Sequence, residues 1–195
     1  MIRGGSAPAL GSFGPCGAGW RRRTVRTMRT RTRIAVIGVG NEFRRDDGVG
    51  WAVLARLRER AGQRPLPPGT ALATCDGDPG RLIGLWEGAD LAVVVDAAHA
   101  HPGVPGRVHR LELDNGLIAQ PQTTSSHGLG LGEAVELARV LGVLPVHLVV
   151  YAVEGAESAL GNGLSPAVQD AVEPLVRAVE SELARHRETA ARRPA

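Results

Sequence analysis

The sequence has few cysteines, few aromatic residues and no long hydrophobic run, and each shortage excludes a class of protein. Two cysteines in 195 residues are too few for a disulfide framework or for a zinc site of paired Cys-x-x-Cys motifs. No apolar run approaches the ~20 residues of a transmembrane helix, so no membrane span is expected. A reducing, cytoplasmic environment is the default for such a chain, and its length suits one domain with a proper core.

The net charge of +3 is unevenly distributed, because a basic N-terminal segment precedes an acidic body. Residues 1–33 contain eight of the 23 basic residues, all arginine, and no acidic residue, which leaves 15 arginines against 20 acidic residues elsewhere. Residues 1–32 lack apolar periodicity and are predicted to be a disordered tail. Arginines without interleaved aromatic residues do not indicate nucleic-acid binding, so no nucleic-acid partner is expected. The folded domain is predicted at residues 33–187, followed by a disordered tail at 188–195.

Apolar runs that suit strands alternate with amphipathic segments that suit helices. Ile34–Ile37 and Leu91–Val95 are unbroken apolar runs, which is typical of strands buried on both faces of a parallel sheet. Arg107–Leu113 alternates apolar and polar residues and is predicted to be an edge strand. A helix is predicted from Leu129 to Leu141, with Leu141 on its apolar side. The pattern predicts an α/β three-layer sandwich, a twisted, mostly parallel five-stranded sheet with helices on both faces.

The segment between the first strand and the first helix carries the strongest functional pattern. Gly38 and Gly40 allow a tight turn, and the pair Asp46 and Asp47 stands directly before the helix. One aspartate is enough to cap that helix and favour its dipole, which leaves the other for chemistry. A phosphate- or nucleotide-binding module is the weaker alternative, because Phe43 stands where the dinucleotide fingerprint needs its third glycine. Two carboxylates at that place would also repel a phosphate.

Three polar residues are predicted to meet at the carboxyl edge of the sheet, where α/β folds bind ligands. Asp47 follows the first strand, Asp96 is predicted to end the most apolar strand, and His127 precedes a helix. Asp47 and His127 could each simply belong to a helix start. Asp96 is harder to explain by a structural role, because placing a charge beside so apolar a strand is costly. Together, two carboxylates and an imidazole can bind a borderline divalent ion and leave positions for substrate or water.

Five segments, taken in order, carry a resemblance to a known family. They are Gly38–Gly50, Cys75–Gly80, Val93–Ala97, Ser125–Leu131 and Gly163–Val168. They resemble the hydrogenase maturation proteases, the endopeptidases that trim the C-terminal extension from the large subunit of NiFe hydrogenases. The resemblance covers roughly residues 33–185. Where the family often has D-G-G followed by T or S, this chain has Asp-Gly-Asp-Pro after its second strand, which leaves open which hydrogenase it serves.

The resemblance implies that the metal belongs to the substrate. Asp47, Asp96 and His127 would contact nickel that is already inserted in the large-subunit precursor, and the free enzyme would hold metal weakly. The implied activity is that of an aspartic-type endopeptidase that uses the nickel as its recognition element. Either the ion polarises the scissile carbonyl or a carboxylate orients the attacking water. A non-catalytic binder of the same fold that checks nickel insertion is the alternative.

The remaining site residues are expected to act by positioning. Asn41 and Gly40 would fix the loop or contact the substrate chain, and Asp46 would support the helix start and its neighbours more than it would ligate. A covalent mechanism is not expected, because the sequence contains no G-x-S-x-G nucleophile elbow. Cys75 follows an apolar run and is predicted to be a small buried residue. The protein is expected to act as a cytoplasmic monomer, with the hydrogenase precursor as its partner.

Overall fold

The computed structural model describes residues 33–113, 124–125 and 130–192. The predicted N-terminal tail at 1–32 and His127 lie outside the described residues. The strands are β1 (Ile34–Val39), β2 (Thr70–Cys75), β3 (Leu91–His99), β4 (Val108–Leu113), β5 (Thr124–Ser125) and β6 (His147–Glu154). The helices are α1 (Val49–Ala61), α2 (Pro79–Trp86), α3 (Gly130–Leu141) and α4 (Pro166–Arg192), and a short 3-10 helix spans Arg45–Gly48.

The sheet has the order β2-β1-β3-β6-β4. β1 pairs in parallel with β2 and β3, and β3 pairs in parallel with β6, whereas β4 runs antiparallel to β6. The two-residue strand β5 adds an antiparallel pairing to the end of β3. The mostly parallel five-stranded sheet predicted from the sequence is therefore confirmed, with β5 as an addition. The alternating strand β4 lies at the edge, as its pattern predicts.

Helices cover both faces of the sheet and divide the core into two clusters. α1 and α4 cover the face on which β3 presents Val93 and Val95. α2 and α3 cover the opposite face, on which β3 presents Ala92 and Val94. These two layers of helix confirm the three-layer sandwich. Among the described residues, no helix combines the length and the apolar character needed to cross a membrane.

The ends of two elements and the exposure of one helical residue differ from the sequence predictions. β3 does not stop at Asp96 but continues to His99, because β6 and β5 supply partners for its last residues. Leu141 is exposed to 60%, since helix α3 ends there and the following Val143 and Leu144 pack on the core in its place. α4 continues to Arg192, beyond the domain boundary predicted at residue 187.

Candidate active site

The turn after β1 is shaped by a contact between Gly40 and Asp47. Gly40 has a φ of +131°, a conformation that residues with a side chain rarely adopt. A Cβ at this position would collide with the backbone carbonyl oxygen of Asp47. The Gly40 N–H donates to the carbonyl oxygen of Cys75 at 3.0 Å, which ties the turn to β2. Glycine is therefore required here so that the 3-10 helix can fold back against the end of β1.

Hydrogen bonds within the turn fix the carboxylate of Asp47, which is only 5% exposed. The Asn41 N–H donates to Asp47 Oδ2 at 2.9 Å, and Asn41 Oδ1 accepts from the Phe43 N–H at 2.9 Å. The second bond closes an Asx turn, the local structure that asparagine favours. Trp51 on α1 donates from Nε1 to the Gly40 carbonyl oxygen at 2.9 Å. No role for Trp51 was predicted from the sequence, because its spacing is that of an ordinary helical residue.

Asp46, the other member of the acidic pair, holds the segment between β6 and α4 against the turn. Its Oδ2 accepts from the N–H groups of Ala156 at 2.8 Å and Glu157 at 3.0 Å. Ser165 donates its N–H to Oδ1 at 2.6 Å and its hydroxyl to Oδ2 at 2.9 Å. Ser165 precedes α4 and suits a helix cap, yet its hydroxyl binds Asp46. We call this set of four hydrogen bonds the Asp46 clasp.

The clasp keeps Asp46 ionised. Burial by itself would raise the pKa of Asp46, but the hydrogen bonds from Ser165, Glu157 and Ala156 outweigh it, so the pKa lies below its usual value of 3.8. With three donors at Oδ2 and a fourth at Oδ1, the carboxylate is committed to the protein. Asp46 therefore acts as a support for the turn, which leaves the role predicted for Asp47 to be tested.

Gly50 brings the turn close to the strand that carries Asp96. A Cβ on Gly50 would lie 2.5 Å from the Val39 carbonyl oxygen and 2.6 Å from the Val95 carbonyl oxygen. α1 therefore begins directly over the ends of β1 and β3, and the 3-10 helix that carries Asp47 contacts β3. Asp96 follows Val95 and has no exposed surface. The structure thus brings Asp47 and Asp96 to touching elements at the carboxyl edge of the sheet.

Asp96 lies on the sheet face that α2 and α3 cover, because side chains two residues apart on a strand share a face and Val94 packs there. Helix α3, which begins at Gly130, is the element that follows the segment containing His127. His127 itself is outside the described residues, so its place in the site stays a prediction. Within the described part of the chain, no group of three or more His, Cys, Asp or Glu side chains is arranged to hold a metal.

Glu154 is a buried acid at the same edge that the sequence reasoning did not single out. It ends β6 opposite Ala98 of β3 and is 2% exposed. It accepts hydrogen bonds from the Val104 N–H and from His109 Nε2, the latter at 2.6 Å. The Val104 bond first, and then the His109 bond, hold the pKa of Glu154 below its usual value. The signal for it was the one used for Asp96, an acid at the end of an apolar strand.

Cys75 is buried at the end of β2, as predicted. Burial raises the pKa of its thiol, which works against a reactive thiolate.

Comparison with known proteins supplies the family. A family model described as hydrogenase maturation protease matches residues 77–182. The chain belongs to the hydrogenase maturation proteases. It is 30% identical over 171 residues to the hydrogenase expression/formation protein HupD of Thiocapsa roseopersicina, covering 85% of this chain and 74% of the relative. It is 29% identical over 158 residues to the hydrogenase 2 maturation protease of Escherichia coli, covering 80% and 92%.

Solved structures of this family share the fold. The hydrogenase maturating endopeptidase HybD of E. coli superposes with a TM-score of 0.63 at 26% identity, covering 79% of this chain and 93% of that chain. The NiFe hydrogenase maturation protease HybD of Thermococcus kodakarensis gives 0.59 at 22% identity, covering 77% and 99%, and supports the fold alone. The resemblance noted in the sequence is confirmed, and the protein is a peptidase of hydrogenase maturation.

Proposed function

We propose that this protease removes the C-terminal extension of a nickel-loaded NiFe hydrogenase large-subunit precursor and recognises the precursor by its nickel. Family membership supports the reaction class. One observation supports the proposed nickel site: the two carboxylates of Asp47 and Asp96 are buried and lie on elements that contact each other at the carboxyl edge of the sheet. A buried pair of acids is costly unless a cation or a hydrogen-bonding partner compensates it.

The two adjacent aspartates divide their roles in this proposal. Asp46 is held by the clasp, whereas Asp47 is oriented by the Asn41 N–H through one of its oxygens. Asp47 and Asp96 would therefore supply carboxylate oxygens to the nickel, and His127 would supply an imidazole nitrogen. This donor set suits a borderline divalent ion.

The substrate brings the nickel with its own ligands, and the protease adds to them. Three oxygen and nitrogen donors without a thiolate bind weakly, and Cys75 is buried with a raised thiol pKa. The free enzyme should therefore take up little nickel. Binding of the precursor's nickel would hold the scissile peptide next to Asp47 and Asp96, which is catalysis by positioning. Polarisation of the peptide carbonyl by the ion, or orientation of a water by a carboxylate, would then permit hydrolysis.

Mass spectrometry of a co-expressed large subunit tests this proposal. The precursor is made with and without nickel, together with the wild-type protease, Asp96→Asn, or the control Asp170→Asn on the exposed surface of α4. We expect loss of a C-terminal peptide only with nickel, and only with the wild type and the control. Cleavage of the nickel-free precursor at an equal rate would contradict the recognition role of nickel. Precursor that binds wild-type protease but is never shortened would favour the non-catalytic binder.

A further inference from the structure

Two large apolar side chains, Phe43 and Leu160, are exposed beside the turn that carries Asp47. Phe43 is 61% exposed and Leu160 is 82% exposed. The chain has only two phenylalanines, and Phe43 stands on the surface four residues before Asp47. We call Phe43 and Leu160 together the apolar rim. An exposed aromatic side chain next to a site that must accept a protein substrate is a typical anchor of a protein interface.

Backbone hydrogen bonds place the two rim residues side by side. The Gly161 N–H donates to the Phe43 carbonyl oxygen at 2.9 Å, and the Arg45 N–H donates to the Gly161 carbonyl oxygen at 3.0 Å. These bonds form a parallel bridge between Arg44 and Gly161. Leu160 directly precedes Gly161, and Phe43 directly precedes Arg44. The rim therefore belongs to one hydrogen-bonded unit made of the turn and the segment between β6 and α4.

The unit that carries the rim is held from several directions. The Asx turn of Asn41 fixes the Phe43 N–H, and the Asp46 N–H donates to the Glu157 carbonyl oxygen at 3.1 Å. The Asp46 clasp holds the same segment through the two hydrogen bonds that Ser165 donates. A surface that is ordered before binding loses less conformational entropy when a partner docks. Phe43 is thus exposed on a segment whose backbone is held in place by hydrogen bonds.

Two arginines follow Phe43 directly and border the rim. Arg44 and Arg45 are both exposed. Arg45 forms a 3.2 Å ion pair with Glu157, and Arg44 Nε donates to the Ser158 carbonyl oxygen at 3.4 Å. Because Glu157 offsets the charge of Arg45, Arg44 is the guanidinium group that favours a partner surface with a carboxylate next to apolar side chains.

We infer that the apolar rim docks the folded hydrogenase precursor, so that an apolar patch bordered by acidic side chains seats on Phe43 and Leu160. This inference rests on the proposed function, because the rim adjoins the turn that orients Asp47 and the docked partner is the protein whose tail is cut. The rim selects the precursor by its folded surface, and the carboxylates select it by its nickel. Two side chains are too small a patch to hold a second copy of this chain in a stable dimer.

The test measures binding and cleavage separately for Phe43→Ser and Leu160→Ser. The matched control is Val140→Ser on α3, where the valine is 76% exposed away from the turn. The dissociation constant of purified nickel-loaded precursor is measured in an Asp96→Asn background, so that cleavage does not intervene. Initial rates of cleavage are measured in the wild-type background. Each rim variant should raise the dissociation constant and KM about tenfold, with kcat little changed.

Further comparisons identify the cause of any change. Phe43→Leu should restore most of the affinity, because it keeps an apolar side chain at the rim. Thermal unfolding should be unchanged in the rim variants, since both side chains are mostly exposed. The inference is overturned if the rim variants bind and cleave like the wild type, or if Val140→Ser weakens binding equally. It is also overturned if Phe43→Ser changes only self-association in size-exclusion chromatography. Failure of the wild type to cleave would count against the proposed function and leave the binding comparison intact.

Discussion

Replacing Asp46 by asparagine should destabilise the fold. A carboxylate that accepts four hydrogen bonds is replaced by an amide, which has one accepting oxygen and one donating NH2 group. The side chain can keep its oxygen toward Ala156 and Glu157, but its amide nitrogen then faces the N–H of Ser165. That N–H loses its partner in a partly buried place, and the remaining bonds lose their charge assistance. Hydrogen bonds to charged groups contribute about 1.5–3 kcal/mol each, so the expected loss of unfolding free energy is about 2–4 kcal/mol.

Urea unfolding at neutral pH measures this loss, with Asp170→Asn on the exposed surface of α4 as the control. A double-mutant cycle of Asp46→Asn with Ser165→Ala should show coupling of more than about 0.5 kcal/mol, because the two side chains share a hydrogen bond. The pH dependence has a definite sign. The pKa of Asp46 is lowered in the fold, so its stabilisation is present above the usual value of 3.8 and is lost as the pH falls below it.

A loss of unfolding free energy of less than about 1 kcal/mol in Asp46→Asn would refute the reasoning on the clasp. Replacing a buried carboxylate that accepts four hydrogen bonds should destabilise the fold by more than that. Loss of precursor cleavage without loss of stability would also refute it, because it would assign Asp46 to the chemistry and not to support.

Two further predictions concern stability. Gly50→Ala should lower the free energy of unfolding by about 2–4 kcal/mol in urea, because the new methyl group meets two backbone carbonyls, whereas Gly132→Ala on α3 has open space and should be neutral or stabilising. An equal effect of both would contradict the close approach of α1. Burial would raise the pKa of Glu182, but Arg110, Arg185 and Tyr151 lower it to about 2. Its stabilisation, about 3 kcal/mol by linkage, is therefore present above pH 4.5 and lost as the pH falls towards 2. Glu182→Gln should flatten the acid limb of a stability–pH curve, and an unchanged limb would contradict this.

The architecture was predictable because it depends on local patterns. The apolar runs at Ile34–Ile37 and Leu91–Val95 appear as β1 and as the start of β3, and the alternating segment appears as the edge strand β4. The end of β3 was not predictable from its own residues. Its continuation past Asp96 depends on pairing with Thr124–Ser125 and with β6, which lie far away in the sequence.

The candidate site was predictable only in its outline. A glycine turn followed by two acids is visible in the sequence, and so is an acid after an apolar run. The separation of the two acids into a support and a candidate ligand was not visible, because it depends on donors from Ala156, Glu157 and Ser165, about 110 to 119 positions away. Loop N–H groups carry no periodicity, so no sequence pattern identifies them as partners of Asp46.

One short turn thus links the placement of Asp47, the Asp46 clasp and the apolar rim. Gly40 and Gly50 let the turn and α1 approach the strand ends closely, which sets Asp47 beside the strand of Asp96. Asp46 then fixes the segment that carries Leu160. The clasp holds the turn that orients Asp47 to the segment that carries Leu160, so disturbing the clasp should disturb both. A change in the clasp should therefore weaken precursor binding as well as cleavage, whereas a change at the exposed rim should weaken binding alone.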